Sequence, residues 1–365
     1  MKCKAFLRFI RNTPQTKGVF QALLWAEPDQ NTVCPWQLYK YRLNSKILLF
    51  LMMGFFVMAR GDTGCCAGNR QIVGEDDFGR KIVLEKPPER IVLLSGTPVD
   101  LIYELGAGHM LVGVVDTIAT SYPETCRRYP SILEKEGVGR FSAPNIEKIV
   151  SLAPDLIIPF ASSESPGKYT TVFERRGLAY AAFVSVENVA FGIEQIKRMG
   201  SVLGKEKEGK ALAHKIRTEV DTLSKKISSR IKDRPLVYYW WGTRNGTYGA
   251  RTAINELIEL AGGVNLAGQF DAQHMELSPE YVIARDPDVI VISYWKESQR
   301  DERVAALRKK PGFSGVKAVK NNRVHTIEGH SFHTTIRFAE VIQTLAEFIH
   351  PGVLGDSGYS GGLRP

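Results

Sequence analysis

The stretch 145–158 reads NIEKIVSLAPDLII, and its pattern returns at 278–291 as SPEYVIARDPDVIV. Each copy opens with a residue that caps helices well, Asn145 or Ser278, and in each copy Glu and Pro stand seven positions apart. A short amphipathic helix that leads through Pro-Asp into an apolar strand is typical of α/β folds. Because the two copies lie far apart in the chain, they indicate duplicated domains and not a solenoid of short repeats.

Short apolar strands alternate with amphipathic helices around each copy. The first series begins with IVLLS (91–95) and LVGVVD (111–116), and the second begins with LVYYWW (236–241) and AINELIELAGG (253–263). This alternation predicts mainly parallel sheets with helices on both faces. We therefore expect an α/β fold of two Rossmann-like lobes with mainly parallel sheets, joined by a long interdomain α-helix.

The long helix is predicted over 206–231, where Ile216, Val220 and Ile227 lie on one apolar stripe. An ordinary amphipathic surface helix would show the same periodicity, so both interpretations stay open. The predicted division of the chain is 1–66 for a leader, 67–89 for a linker and short hairpin, 90–187 for the N-terminal lobe, 188–234 for helices that include the interdomain helix, 235–350 for the C-terminal lobe and 351–365 for a flexible tail.

The leader contains an uninterrupted apolar run at 47–59 (ILLFLMMGFFVMA), preceded by Lys40, Arg42 and Lys46. Such a run is too short for a comfortable membrane span and is typical of a secretory signal peptide. A buried core helix is the alternative, but the Gly- and Cys-rich stretch that follows the run disfavours it. We interpret residues 1–43 as an over-extended gene start and predict an exported, periplasmic or extracytoplasmic protein.

The cysteines suggest a lipid anchor. The chain has five cysteines, too few after leader removal for a disulfide framework, and no Cys-x-x-Cys motif. Cys65 follows Asp62-Thr63-Gly64, which resembles a lipoprotein cleavage box that lacks its usual aliphatic residue. Lipidation at Cys65 or Cys66 is the hypothesis, and an unmodified mature N-terminus is the alternative.

The net charge of +9 belongs mostly to the leader. Residues 1–60 hold nine Lys/Arg and two acids, which leaves 39 basic and 37 acidic residues in 61–365. The remainder is nearly neutral, so we expect no nucleic-acid partner. Walker and dinucleotide-binding motifs are absent from the sequence, and we predict neither catalytic residues nor a cofactor.

The loops at the carboxyl ends of the strands are the expected binding region, because open parallel sheets bind ligands there. They are rich in aromatic and hydrogen-bonding side chains, which suits a large ligand that is partly flat and partly polar. Among the four aromatics Tyr238, Tyr239, Trp240 and Trp241, we expect two in the core and Trp241 in the cleft. The predicted ligand-binding residues are Thr97, Phe141, Trp241, Arg244, His274, Tyr294, His330 and His333.

The histidines also permit a bare-metal site, which we regard as the weaker alternative. The spacing of His325, His330 and His333 matches no zinc signature, and the first half supplies only His109. His325 lies within a predicted strand, where a structural role is expected. We therefore assign no metal ligands and expect His274, His330 and His333 to contact an organic or metal-chelate ligand.

Three stretches together carry a family resemblance: RIVLLSGTPVDLIYELGAG (90–108), VGRFSAPNIEKIVSLAPDLII (138–158) and LSPEYVIARDPDVIVI (277–292), with the long helix before the third. They resemble the class III periplasmic substrate-binding proteins of ABC importers, which bind vitamin B12, ferric siderophores or haem. The resemblance implies that Glu147 and Glu280 dock onto arginines of the membrane permease. Favourable placement of a carboxylate in the first helical turn is the alternative, and the two roles are compatible.

The resemblance also implies ligand contacts for Phe141, Trp241 and His274. His274 replaces an aromatic residue of the B12-binding member, so a ferric siderophore or haem is as well supported as cobalamin. The expected partners are a permease and ATPase complex, a metal-chelate ligand that contains iron or cobalt, and a membrane reached through the lipid anchor. We expect a monomer. The rival functions are a tetrapyrrole metal chelatase-like enzyme and a free transition-metal binding protein.

Overall fold

The computed structural model describes residues 71–162, 164–333 and 335–355. The apolar run 47–59 and the two candidate lipidation sites, Cys65 and Cys66, lie outside the described residues. Contacts group Ala67–Pro365 into one compact unit. No helix within the described part of the chain is long and apolar enough to span a membrane.

An antiparallel hairpin of β1 (Ile72–Glu75) and β2 (Lys81–Leu84) precedes the first lobe. The hairpin lies within the segment 67–89, where the sequence predicts one, and residues 76–80 connect its two strands. Asp76 explains this register, because its buried carboxylate accepts hydrogen bonds from the backbone N–H groups of Phe78 and Arg80 at 3.0 and 3.1 Å.

The N-terminal lobe is built on a parallel sheet of four strands in the order β5-β4-β3-β8. These strands are β3 (Ile91–Leu93), β4 (Leu111–Val114), β5 (Glu136–Gly137) and β8 (Leu156–Ile158). A two-stranded ribbon of β6 (Gly139–Arg140) and β7 (Ala143–Pro144) carries Phe141 in its turn. The helices of this lobe are α1 (Val99–Glu104), α2 (Ile118–Ser121), α3 (Pro123–Arg128), α4 (Ile146–Ser151) and α5 (Thr170–Arg175).

The apolar segment 180–186 (YAAFVSV), which the alternating pattern predicts as a strand, forms only two isolated bridges, Ile157 to Tyr180 and Phe160 to Phe183. Ile157 exchanges backbone hydrogen bonds with residues 179 and 181. The next donor on that side of the strand would be residue 159, which is a proline without an N–H. Pro159 therefore interrupts the ladder directly before Phe160.

Two helices connect the lobes, α6 (Val189–Val202) and α7 (Glu206–Ser228). At 1.5 Å per residue, α7 is roughly 35 Å long. It buries Ala213, Ile216 and Val220 and ends three residues before the predicted limit.

The C-terminal lobe repeats the plan of the first. Its parallel sheet has the order β11-β9-β13-β14, and β10 pairs with β12 in an antiparallel ribbon. The strands are β9 (Leu236–Trp240), β10 (Gly246–Tyr248), β11 (Val264–Asn265), β12 (His274–Glu276), β13 (Val289–Tyr294) and β14 (Val324–Glu328). The helices are α8 (Ala253–Leu260), α9 (Pro279–Arg285), α10 (Gln299–Arg308), α11 (Lys317–Lys320) and α12 (Phe338–Ile349).

The strand orders β4-β3-β8 and β11-β9-β13 correspond. In each lobe the first strand lies between the second strand and the strand that follows the helix of the repeated segment, α4 or α9, and the lobes differ in the outer strands β5 and β14. The predicted fold class of two mainly parallel α/β lobes joined by a long helix is confirmed. One detail differs: Tyr238, Tyr239 and Trp240 are all buried, where two core aromatics were expected among 238–241. Both faces of β9 are covered, so alternation along the strand exposes neither side.

Candidate functional site

Two cavities of about 270 and 280 Å³ lie between the lobes. Their walls come from residues that directly follow strands of both sheets. Phe160 follows β8 and borders both cavities, Trp295 follows β13, and His330 follows β14. The predicted location of the binding region, at the carboxyl ends of the strands, agrees with this geometry.

The first cavity has aromatic walls from both lobes. Phe141 and Phe160 of the N-terminal lobe have ring centroids 4.8 Å apart and remain 50% and 45% exposed. The His330 ring of the C-terminal lobe lies 3.9 Å from the ring of Tyr122 and 4.5 Å from the ring of Trp295. Such rings offer flat apolar surfaces on which a planar ligand can stack.

The second cavity is aromatic on one side and polar on the other. Tyr248, His274 and His333 form part of its aromatic side. On the polar side, Gln273 donates from Nε2 to Glu187 Oε1 across the lobes at 3.3 Å. A large ligand that filled both cavities would therefore meet hydrogen-bonding groups at this end.

A third space of about 20 Å³ lies next to Thr97, Phe160 and His333. Its volume fits about one water molecule. The hydroxyl groups of Thr97 and Tyr122 lie 3.4 Å apart there. Thr97 thus borders the cleft, but in a space too small for a large ligand.

The three cleft imidazoles resist protonation. Burial lowers the pKa of His330 to about 3, helped by the charges of His333 and Arg337, and lowers the pKa of His333 to about 4. Burial also lowers the pKa of His274. At neutral pH the rings are uncharged, so each keeps one nitrogen lone pair that can accept a hydrogen bond or bind a metal. His330 Nε2 is buried without a hydrogen-bond partner among the described residues.

The structure brings five of the eight predicted ligand-binding residues to the cavity walls. These are Thr97, Phe141, His274, His330 and His333. Trp241 lies behind the second cavity, with its ring 5.8 Å from that of His274, and its Nε1 donates to the Thr243 carbonyl. Its assignment as a ligand contact stays a prediction.

Arg244 and Tyr294 do not border the cavities. Arg244 is exposed, adopts a positive φ of 47° and faces Glu276 with an Nη1–Oε1 distance of 3.4 Å. Tyr294 ends β13 half-buried, whereas Trp295 and Lys296, the next residues, reach the first cavity.

Tyr122, Phe160 and Trp295 were not among the predicted ligand-binding residues. Each borders a cavity. For Phe160 and Trp295, the position after a strand was a usable signal. The direction of each side chain depends on packing between lobes, which the sequence does not show.

The predicted docking residues Glu147 and Glu280 are exposed on equivalent helices, α4 and α9. Asn145 and Ser278, not the glutamates, cap these helices by accepting backbone N–H groups at 3.0 and 3.2 Å. Within the described part of the chain, neither Glu147 nor Glu280 has an ion-pair or hydrogen-bond partner. Both carboxylates are thus available to another protein.

His325 has a structural environment. Its ring stacks on Phe348 with centroids 4.4 Å apart and an interplanar angle of 7°. Across the residues that the structure describes, no group of three or more His, Cys, Asp or Glu side chains is arranged to hold a metal ion.

A cleft between two α/β lobes, with binding residues from both, defines a two-lobed solute-binding protein. The chain belongs to the periplasmic binding protein family, whose profile it matches over residues 91–330. The family identified from the sequence, the class III substrate-binding proteins of ABC importers, is thereby confirmed.

Three similar proteins illustrate the range of the family. The Bacillus subtilis protein described as the uncharacterized ABC transporter substrate-binding lipoprotein YvrC is 24% identical over 76% of this chain and 85% of its own length. A cobalamin-binding protein of Halobacterium salinarum is 29% identical over 59% of this chain and 57% of its own length. The apo structure of the periplasmic heme-binding protein RhuT from Roseiflexus sp. RS-1 is 25% identical, with a TM-score of 0.61 over 73% of this chain and 99% of RhuT.

Membership of this family defines the general role of the chain. It is a substrate-binding protein of an ABC importer, a class that works outside the cytoplasm with a permease and ATPase complex. The family consists of solute-binding proteins and not enzymes.

Proposed function

We propose that this protein captures a metal chelate, namely cobalamin, haem or a ferric siderophore, and delivers it to its importer. The observation that carries the proposal is the ring assembly of the first cavity. The rings of Tyr122, His330 and Trp295 come together from both lobes opposite the half-exposed pair Phe141 and Phe160.

The charge of the cleft supports the same class of ligand. The imidazoles of His330 and His333 are neutral at pH 7, since their pKa values are lowered to about 3 and about 4. Neutral nitrogen donors beside aromatic walls suit a chelated metal, whose charge is already compensated, better than a free cation. Relatives described as cobalamin-binding and heme-binding proteins support this choice of ligand class.

Tryptophan fluorescence titration tests the proposal. The purified protein is titrated with cyanocobalamin, haem and a panel of ferric siderophores, and Trp295 is expected to report binding. At least one of these ligands should bind with a Kd of about 1 μM or lower, and Phe160→Ala should weaken binding about tenfold, equivalent to about 1.4 kcal/mol.

Leu133→Ala is the matched control for that titration, because Leu133 is an exposed apolar residue that borders neither cavity. Its affinity should equal that of the wild type. Failure of the wild type to bind any member of the panel would show that the assigned ligand class is wrong.

We propose further that Glu147 and Glu280 dock onto the permease. Their exposure, one on each lobe, and their lack of partners within the described residues support this role. Exposed ion pairs contribute little affinity individually, so the two glutamates would mainly set the orientation of the docked protein.

The double variant Glu147→Ala/Glu280→Ala tests docking through ligand uptake. Uptake should fall to background while the affinity for the ligand stays unchanged. Glu208→Ala/Asp221→Ala removes two exposed carboxylates of α7 and should transport normally. Normal uptake by the first double variant would refute the docking assignment.

Export and anchoring complete the proposal. The apolar run 47–59 would direct secretion, and Cys65 or Cys66 would carry the lipid. Mass spectrometry of the mature protein tests this step. A lipid-modified cysteine at the N-terminus is expected, and an unmodified N-terminus at residue 67 or beyond would exclude the anchor.

A further inference from the structure

Among the residues that the structure describes, the first cavity has one charged side chain on its wall, Lys296, and no Asp or Glu borders it. The side chain of Lys296 is exposed. Its ammonium group has no ion-pair or hydrogen-bond partner in the described part of the chain. A cation that faces an aromatic cavity without a countercharge is a recognition element for a negatively charged group.

The backbone at Lys296 is held in place. The side-chain oxygen of Gln299 accepts hydrogen bonds from the backbone N–H groups of Trp295 and Lys296 at 3.1 and 3.2 Å. The neighbouring acid, Glu297, faces Arg300 with an Oε1–Nη1 distance of 3.6 Å. The backbone of Lys296 is therefore held in position, and the carboxylate of Glu297 is paired with Arg300 and not with Lys296.

Hydroxyl groups of the opposite lobe share this wall. Thr117 and Ser121 border the same cavity, and the structure gives neither side-chain hydroxyl a partner among the described residues. An ammonium group with nearby free hydroxyls can bind a carboxylate or a phosphodiester through charge-assisted hydrogen bonds.

We infer that Lys296, with Thr117 and Ser121, binds an anionic arm of the ligand. The protein would then select chelates that combine a flat apolar body with an acidic substituent. This inference rests on the proposed function and specifies its ligand. The carboxylate of haem and the phosphodiester of cobalamin are both anions that an ammonium group can bind. The test must therefore distinguish between these two groups.

The experiment compares each ligand with a counterpart that lacks the anionic group. Wild type and Lys296→Met are titrated with haem and haem dimethyl ester, and with cyanocobalamin and dicyanocobinamide, which lacks the phosphodiester. For the anionic group that the protein binds, Lys296→Met should weaken the affinity for the ligand that carries the group about tenfold. The affinity for the counterpart that lacks the group should stay within twofold of the wild-type value. The pair of ligands that shows this difference identifies the anionic group, carboxylate or phosphodiester, that the protein binds.

Lys309→Met is the control, since Lys309 is exposed directly after α10 and borders neither cavity. Its affinities should match the wild type for every ligand. If wild type binds but Lys296→Met weakens an anionic ligand and its counterpart equally, the inference is wrong and the proposed function stands. If wild type binds a ferric siderophore but none of these four ligands, the inference is wrong and the proposed function stands.

Discussion

At the scale of single residues, the cleft keeps His330 and His333 uncharged, and this makes the folded protein less stable at acidic pH. The unfolded chain protonates histidine near the ordinary pKa of about 6.5, whereas burial holds the folded pKa values at about 3 and about 4. Between the pKa of the unfolded chain and the lower pKa values of the folded protein, the unfolded state binds more protons than the folded state. Stability is therefore complete above pH 6.5 and falls as the pH drops towards 3.

We predict that His330→Phe reduces this acid sensitivity. Each pH unit below 6.5 removes about 1.4 kcal/mol per buried neutral histidine, because the unfolded state gains one proton. Phenylalanine has no titrating group and can keep the ring contacts with Tyr122 and Trp295. Urea denaturation at pH 7 and pH 5 should show a smaller loss of unfolding free energy in the variant than in the wild type.

His214→Gln is the control for the pH experiment, because His214 lies on the exposed side of α7. It should lose as much stability on acidification as the wild type. An equal loss in His330→Phe would mean that His330 is protonated as readily in the folded protein as in the unfolded chain.

At the scale of elements, the close crossing of α6 and α7 depends on Gly200 and Gly209. A Cβ atom added at Gly200 would lie 2.9 Å from the Cα of Gly209 and 2.9 Å from the Lys205 carbonyl oxygen. Both contacts are with backbone atoms, which cannot rotate away as a side chain can. The helices would have to separate to admit any larger residue.

Gly200→Val should therefore destabilise the protein by about 2 kcal/mol, the usual cost of overpacking. Chemical denaturation of variant and wild type measures this loss. Glu194→Val introduces the same side chain on the exposed side of the same helix and should change stability by no more than about 0.5 kcal/mol. Equal stability of Gly200→Val and Glu194→Val would show that α6 and α7 tolerate separation.

The sequence predicted these elements well where the signal was local. Helix and strand types follow from periodicity, and the duplicated segment predicted two lobes built on one plan. The failures concern long-range contacts. Pro159 reduces the strand at 180–186 to two bridges because it lies opposite that strand in the sheet. The direction of Tyr294 away from the cavities likewise depends on packing around the strand end and not on spacing along the chain.

At the scale of the whole molecule, buried charges join the two lobes. Arg337, which precedes α12, places Nη2 2.6 Å from Oδ2 of Asp100 in α1, and both side chains are only 2% exposed. Its Nη1 lies 3.6 Å from Glu328. Arg128 of α3 reaches Glu340 of α12 at 3.1 Å in the same interface. These contacts fix one lobe against the other beneath the loop that carries His330 and His333.

We predict that Arg337→Met destabilises the protein by about 3–5 kcal/mol, because Asp100 and Glu328 stay buried without their countercharge. The double variant Asp100→Asn/Arg337→Met removes one of these unpaired carboxylates and should recover part of the loss. Lys197→Met breaks an exposed pair with Glu194 and should have little effect. Denaturant midpoints of the wild type, Asp100→Asn, Arg337→Met, the double variant and Lys197→Met measure these differences. If the double variant loses as much stability as Asp100→Asn and Arg337→Met together, Asp100 and Arg337 are not energetically coupled.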